Sequence, residues 1–527
     1  MRYIITCFIA IFFIKTALAQ VGIGTQNPNT SAQLDVTSTN KGLLPPRMTS
    51  AQRDAIPNPS PGLMIFNTTT QTLEIFTSYG WAGLQIQIPA RKLLGGAVHE
   101  EAYSIQNTTD GGYIVAGLSS TLSGGDITGT NHGGELGGND YWIVKLDGAK
   151  NITWNKLLGG DGTDEARSIQ QTPDGGYIVA GYSTSSANGD VTEANHGSYD
   201  YWIVKLDVSG NIEWNKILGG TGDDKAQSID LTADGGYIVA GYSNNFEGGG
   251  NVSEETYGGY DYWVVKLDNG GNIIWDNLMG GTGDDVAYSI QQASDGNYII
   301  AGNSASSASN DVTGINHGTA SFPTDCWIVR LNASGTVILW NKLLGGSKDD
   351  EAQSIEQTPD GGYIVAGFSG SSNNGDVSGI NHDLYFNSPD YWIIKLDRFG
   401  NITWDKLLGG ELWEKAYSIK LTSDGGYIVA GFSTSSANGN VTESNHSNVS
   451  TSDYWIVKLD GTGNILWNRL IGGSADDYAR AVLQSPDGGY IVAGFTKSSF
   501  NGDVTSGNHS GNNDFWIIKL GSTGYLY

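Results

Sequence analysis

Seven acidic residues stand at equivalent places in this chain: Glu100, Asp164, Asp224, Asp285, Asp350, Glu414 and Asp477, each just ahead of an alanine in a text that repeats. Several carry a second acid directly before them, as Asp223, Asp284, Asp349 and Asp476 do. Carboxylates gathered on one face could coordinate Ca²⁺, which takes about 6–8 oxygen ligands. Asp164, Asp224, Asp285, Asp350 and Asp477 are the candidate ligands for such a site. No copy, however, contains the dense Asp-x-Asp-x-Asp-Gly pattern of a self-contained calcium loop. The structural alternative is that each acid accepts N–H bonds from a Gly-rich turn or a neighbouring unit. Paired carboxylates are also what a glycosidase uses, provided their separation suits the chemistry.

A histidine recurs as His132, His196, His317, His382, His446 and His509, in phrases such as Asn195-His196-Gly197, while the third copy carries Glu254-Glu255-Thr256-Tyr257 instead. A catalytic base or metal ligand is normally a singular residue among dissimilar partners, so a histidine copied six times reads as a loop-fixing hydrogen-bonding group. The chain has no Gly-x-Ser-x-Gly elbow, no His-Glu-x-x-His helix and no phosphate loop, which excludes the commonest nucleophile, zinc and nucleotide signatures. Departures from the repeat point to a specific site more sharply. Phe246 and Tyr257 in the third copy, Phe322 in the fourth, Tyr385 and Phe386 in the fifth and Trp413 in the sixth are loop aromatics suited to carbohydrate or protein contact.

The elements that must position these residues are written in the same repeat. Gly-Gly pairs beginning at Gly95, Gly159, Gly219, Gly280, Gly345, Gly409 and Gly472 recur every 60 to 65 residues. Within a copy, Ser168–Thr172 and Tyr177–Ser183 are short apolar-rich runs joined by Asp174-Gly175-Gly176, a hairpin signal. Asp200–Asp207 and Ile212–Leu218, joined through Ser209-Gly210-Asn211, form a second hairpin. Each copy therefore predicts a four-stranded antiparallel meander with strands A to D, and helical periodicity is absent from the repeats. In Tyr201-Trp202-Ile203-Val204 both alternating faces are apolar, so both sides of the sheet must be covered. Sheets stacked radially cover one another, which predicts an all-β fold: a seven-bladed β-propeller of four-stranded antiparallel blades. The seventh copy ends too early for a full strand D, while Gln87–Leu94 reads as a strand D without a copy of its own. The N-terminal strand is expected to complete the last blade and close the ring, which removes exposed edges. Trp142, Trp202, Trp263, Trp327, Trp392, Trp455 and Trp516 share one strand C position and are expected to pack between blades.

Composition narrows the function. With 28 Lys and Arg against 55 Asp and Glu, the formal net charge is −27, which makes nucleic acid and anionic lipid unlikely partners and suits solubility, cations or basic partners. Arg2, the apolar run Tyr3–Ile14 and Ala17-Leu18-Ala19 read as a secretory signal over residues 1–19, too short for a transmembrane anchor. Once the signal with Cys7 is removed, Cys326 stands alone, so an exported chain would hold together without disulfides. Cys326 occupies the place of Tyr201 and Tyr391 and reads as a packed core residue.

The phrase Leu218-Gly219-Gly220, Asp223-Asp224, Asp234-Gly235, Tyr237-Ile238-Val239-Ala240-Gly241 and Trp263-Val264-Val265-Lys266-Leu267-Asp268 resembles the bacterial β-propeller repeat family known as SBBP, over roughly residues 86–522. The resemblance implies a secreted or cell-surface propeller with a binding role and transfers no catalytic residue. Residues 20–84, with Val21-Gly22-Ile23-Gly24-Thr25 and Lys41-Gly42-Leu43-Leu44-Pro45-Pro46, resemble an N-terminal β-rich module of exported Bacteroidetes proteins. The expectation is therefore three parts: a signal at 1–19, a module at 20–84 and a propeller at 85–527. The leading function is an exported, monomeric, non-enzymatic scaffold at a Gram-negative surface that presents an acidic, loop-rich face to a glycan, an extracellular protein or a cation such as Ca²⁺. A carbohydrate-active hydrolase or lyase on the same ring is the alternative.

Overall fold

A computed structural model of the chain describes residues 21–23, 34–36, 43–70, 72–78, 80–83, 91–133, 138–246, 248–318, 323–383, 388–447, 451–509 and 511–526. The signal expected over residues 1–19 lies outside them. No helix among the described residues is long and apolar enough to cross a membrane. The chain divides into two compact units, residues 1–87 and 88–527.

In the first unit, Val21–Ile23 and Leu34–Val36 pair in parallel. A mixed four-stranded sheet follows, in the order Arg47–Met48, Met64–Asn67, Thr72–Thr77 and Gly80–Gly83, with a parallel first pair. The one-turn helix Ser50–Asp54 is started by Thr49, which accepts from the Gln52 N–H while the Gln52 side chain accepts from the Thr49 N–H, a reciprocal cap. Glu74, buried on the middle strand, is held by the Arg53 guanidinium and the Asn67 amide, each at 2.9 Å.

The second unit consists of seven four-stranded antiparallel sheets, each in the order A-B-C-D. The second repeat is representative: A is Asp164–Gln171, B Tyr177–Ser183, C Asp200–Leu206 and D Ile212–Leu218. Strands B and C are buried along their whole length, as two-sided apolar text requires. The A–B turn reverses at Gly175, whose φ of +87° favours glycine. Opposite the turn, the buried Lys205 stem carries its ammonium 2.9 Å from Asp174, and the equivalent clasp recurs in every repeat, with Arg330 replacing lysine in the fourth. In the seventh sheet the fourth strand is Arg91–Leu94, paired antiparallel to Asp514–Leu520. This is the end of the segment expected there from the sequence; residues 84–90 are not among those described.

Consecutive sheets pack face to face, and each apolar cluster draws on two of them. Trp202, Val204 and Val179 of the second sheet, for example, share a cluster with Tyr141, Ile143 and Ile114 of the first. Such radial packing of like sheets is β-propeller architecture. The six seams between sheets one to seven have a common stitch. The first residue of strand A donates its N–H back to the preceding sheet, as Asp224 does to the Tyr199 carbonyl at 2.6 Å. A strand A serine accepts an N–H from the next sheet, as Ser168 does from Ile229 at 3.3 Å. In five of the six a strand C tyrosine donates to the next tryptophan carbonyl, as Tyr201 does to Trp263 at 2.9 Å. At the fourth seam Cys326, fully buried, takes the tyrosine position, and burial pushes its thiol well above the ordinary range. The seventh sheet also meets the first: Glu100 donates to the Asn513 carbonyl at 2.8 Å, and Trp142 packs on Phe515 with ring centroids 4.4 Å apart. Ile491, Ala493 and Ile517 join that cluster.

Candidate binding face and axial cavity

All seven acids open strand A instead of standing in the connection before it, and every one is fully buried. The series is thus an inner shell of acids, not an exposed acidic rim. Each accepts the N–H of the second glycine of the Gly-Gly pair: Gly160 reaches Asp164 at 2.8 Å, and the other six bonds run from 2.6 to 2.9 Å. A hydroxyl adds a second bond in most copies, such as Ser185 to Asp164 at 2.9 Å and Ser433 to Glu414 at 2.7 Å. The sequence reading overlooked the partner of each acid, the aspartate that opens strand C. A Cβ on Gly159 would lie 2.5 Å from Asp140 and 2.7 Å from Asp164, so two carboxyl groups flank a glycine that has no room for a side chain.

The recurrent histidine belongs to this shell. His196 gives its backbone N–H to Asp200 at 2.6 Å and sets its ring Nδ1 3.0 Å from the same oxygen, and the five other histidines repeat the contact at 2.7 to 3.1 Å. In the third copy the backbone N–H of Tyr257 takes over, 2.7 Å from Asp261. Burial, with too few compensating bonds, raises Asp164 and Asp285 to about 6, Asp224, Asp350, Glu414 and Asp477 to about 7, and Asp261 to about 8. One oxygen in each of Asp140 and Asp164 is buried without a protein partner, which agrees with a carboxyl group that retains its proton. No group of three or more His, Cys, Asp or Glu that could hold a metal ion occurs among the described residues; in each candidate ligand one oxygen accepts a glycine N–H and the other has no protein partner.

Of the loop aromatics, Phe246, Tyr257 and Trp413 are 57, 46 and 50 % exposed, so their rings are available for contact. Phe322, Tyr385 and Phe386 fall outside the described residues. Trp413 lines a hollow of 180 Å³ with Lys348, Asp349, Phe368, Pro389 and Lys415. Phe246 and Tyr257 lie on loops of the third copy and do not share that hollow.

A second cavity, of 310 Å³, collects one residue from each of the seven A strands: Tyr103, Arg167, Gln227, Tyr288, Gln353, Tyr417 and Arg480. Each occupies a β-bulge, the residue skipped in pairing between the constant Ala and the Ser that follows it, or Ala481 in the last copy. The strand B glycine permits the bulge: on Gly181 a Cβ would sit 1.9 Å from the Glu165 carbonyl oxygen. The bulged side chain leaves the sheet and turns to the axis. Arg167 is tied to Glu165 and the Tyr182 hydroxyl, each at 2.7 Å, and its guanidinium lies 4.0 Å from the Tyr103 ring centroid. Arg480 lies 4.3 Å from the Tyr417 ring centroid. The same cavity is walled by Glu351, Phe368 and Lys415, so it shares Phe368 and Lys415 with the Trp413 hollow. Sequence reasoning passed over the axial position. Its signal was available: it is the one strand A place where a charged, an aromatic and an amide side chain alternate between constant neighbours.

Comparisons with known proteins touch parts of this architecture. A family profile described as a phage tail like trimerisation region matches residues 22–94, which spans the first unit and includes Arg91–Leu94. The regulatory protein FlaEY of Caulobacter vibrioides is 29 % identical over 185 residues, 34 % of this chain, and the match spans 19 % of that relative's own length. Among solved structures, the Pan2 WD40 domain of Neurospora crassa shows 10 % identity and a TM-score of 0.42, covering 84 % of this chain and 98 % of that one. A protein of unknown function from Dyadobacter fermentans shows 11 % identity and a TM-score of 0.40, covering 82 % and 98 %. BamB of Moraxella catarrhalis shows 11 % identity and a TM-score of 0.35, covering 87 % and 94 %.

Proposed function

We propose that this chain is a non-enzymatic binding scaffold of the SBBP kind, a closed seven-bladed propeller exported to the surface of a Gram-negative bacterium, whose loop-rich face takes a glycan or an extracellular protein. The observation that carries the ring is the single cavity lined by the bulged residue of all seven A strands, an arrangement that a row of stacked sheets cannot produce. Closure by Arg91–Leu94 satisfies the otherwise open edge of the seventh sheet. A binding role draws support from the polar group chemistry of the face. Among the described residues lining the axial cavity Glu351 is the only carboxylate, where a glycosidase places two. The paired acids of the seams are buried structural groups and lie away from solvent.

The profile match over residues 22–94 supports a further element of the same reading, association of three copies through the N-terminal module. Three linked faces would raise apparent affinity for a repetitive ligand without new contacts. Light scattering tests this directly, with three times the 56.0 kDa chain mass expected and a monomer overturning it. A glycan array read alongside product analysis tests the function: retention of a glycan without turnover is expected, and product formation abolished by Glu351→Gln would make the protein an enzyme. Solution scattering of an elongated rod would sink the closed ring.

A further inference from the structure

At the axial cavity the repeats disagree in chemistry while agreeing in geometry. All seven bulged side chains are half-buried and converge, yet they are three tyrosines, two glutamines and two arginines. The two arginines are not equivalent. Arg167 has its carboxylate, Glu165, at 2.7 Å. Arg480 makes no ion pair among the described residues; its side chain bonds Tyr417, and its Nε, like that of Arg167, is buried without a hydrogen-bond partner. Stacked on Tyr417, its planar fork is held in one orientation, which suits bidentate capture of a carboxylate. Lys415 of the same wall makes no ion pair within 4.0 Å among the described residues, although Glu351 and Asp349 act on its charge, and its ammonium sits 3.8 Å from the Phe368 ring centroid and 5.8 Å from that of Trp413. Two cations without a direct ion-pair contact among the described residues, beside the single carboxylate Glu351, leave hydrogen-bond donors that an anionic ligand would satisfy.

The remaining wall selects among anions. Tyr103, Tyr288 and Tyr417 offer ring faces for the C–H surface of a pyranose, while Gln227 and Gln353 offer amides for its hydroxyls. Gln353 already donates to Glu351 at 3.1 Å, so the glutamate is a fixed polar group that can bond a hydroxyl. At 310 Å³ the cavity stands at the lower end of the range of about 300–1,000 Å³ for small-molecule sites, which suits one sugar ring and not a threaded polymer. The adjoining hollow, with half-exposed Trp413, continues from the shared residues Phe368 and Lys415.

Resting on the glycan-binding reading above, we propose that the axial cavity holds the terminal hexuronate of an acidic glycan, its carboxylate on Arg480 and Lys415, with the next sugar stacked on Trp413. The net negative charge of the chain disfavours long polyanions and favours a short fragment or chain end.

Calorimetric titration of the full chain with D-galacturonate, D-glucuronate, digalacturonate, galactose and galactose 6-phosphate tests the proposal. One of the two hexuronates is expected to bind at least tenfold more tightly than galactose and galactose 6-phosphate, and digalacturonate more tightly than galacturonate. Arg480→Gln should erase the preference for the acid over galactose. Trp413→Ala should remove the gain of the disaccharide over the monosaccharide. Should Arg480→Gln fail to fold, Lys415→Met, at the rim, must show a loss of acid preference of several fold. Equal binding of galactose and both hexuronates, tighter binding of the phosphate, or acid preference unaltered in a folded Arg480→Gln chain would each overturn the assignment. Array binding of neutral glycans with no hexuronate binding would overturn it while leaving the scaffold function standing, and hexuronate turnover would do the reverse.

Discussion

The seam between the seventh and first sheets and the six internal seams do the same mechanical task with different means. Internal seams carry a serine-to-backbone bond, such as Ser168 with Ile229, and most add a tyrosine-to-carbonyl bond, such as Tyr201 with Trp263. At the seventh, Ala481 stands where the serine would be and Phe515 where the tyrosine would be, so neither bond can form. The ring of Phe515 still packs on Trp142, and backbone Glu100 still reaches Asn513. Other side-chain bonds remain: Asn513 donates to Glu101 at 2.9 Å, as Asn139 does to Glu165 at the first seam at 3.1 Å, and Asn107 donates to the Gln484 carbonyl at 2.9 Å. The comparison separates two contributions that the internal seams combine. The contact between two sheets persists when the serine and tyrosine bonds are absent, held by apolar packing together with the remaining backbone and side-chain bonds.

The largest test removes the strand on which that seam depends. Deleting Arg91–Leu94 exposes the edge of Asp514–Leu520 and takes Leu93 and Leu94 from two core clusters, and loss of cooperative unfolding with aggregation on a sizing column is the expected outcome. Next come the tryptophans. Trp202→Ala at an internal seam and Trp142→Ala at the seventh should each cost about 3–5 kcal/mol in denaturant titrations, with the larger loss at Trp142, where the serine and tyrosine bonds are absent. Restoring the missing bonds should act in the opposite sense: Ala481→Ser and Phe515→Tyr are each expected to add about 0.5–1.5 kcal/mol, whereas Tyr201→Phe should subtract the same. If neither restoration raises the melting midpoint, the serine and tyrosine bonds are not what distinguishes the seams.

The smallest effect concerns what all seven seams share. The buried acids have folded-state pKa values raised to about 6 to 8, above those of the unfolded chain, so the native protein binds more protons between pH 4 and 8. Stability from these groups is present at low pH and lost as pH rises through about 6 to 8. His382 and His446, raised by their bonds to Asp390 and Asp453, act in the same direction. The outer clasps act oppositely. Burial works against ionisation of Asp110 and Asp174, yet their Lys and Thr bonds hold both down to about 2, so that contribution vanishes only in strong acid. Thermal melts should therefore show a midpoint that rises as pH falls from 8 to about 5 and drops again below about 3. A midpoint that falls steadily from pH 8 would contradict protonated acid pairs.

Much of this fold was legible because strand text, turn text and packing repeat in phase. Tyr201-Trp202-Ile203-Val204 declares two covered faces, and Asp174-Gly175-Gly176 declares a hairpin, and both stand where they were expected. The site was less legible. Asp164 and Asp200 lie 36 residues apart on different strands of one sheet, and the acid paired with Asp164 is Asp140 of the preceding sheet, a neighbour that spacing alone does not reveal. Gly181 stands inside the run Tyr177–Ser183, where nothing in the sequence marks its role of letting the Glu165 carbonyl approach. Arg167 and Arg480 carry the same letter at the same repeat position, and Glu165 beside one, where Tyr478 stands beside the other, gives the first alone a direct ion pair among the described residues.

The bulge on strand A places one side chain per copy outside the ladder of backbone pairing, so exchanging it leaves register and core untouched. A gene that grew by duplication can thus respell its hub one letter at a time. Seven independent letters facing a common space give such a lineage a way to change what it recognises without rebuilding what makes it stable.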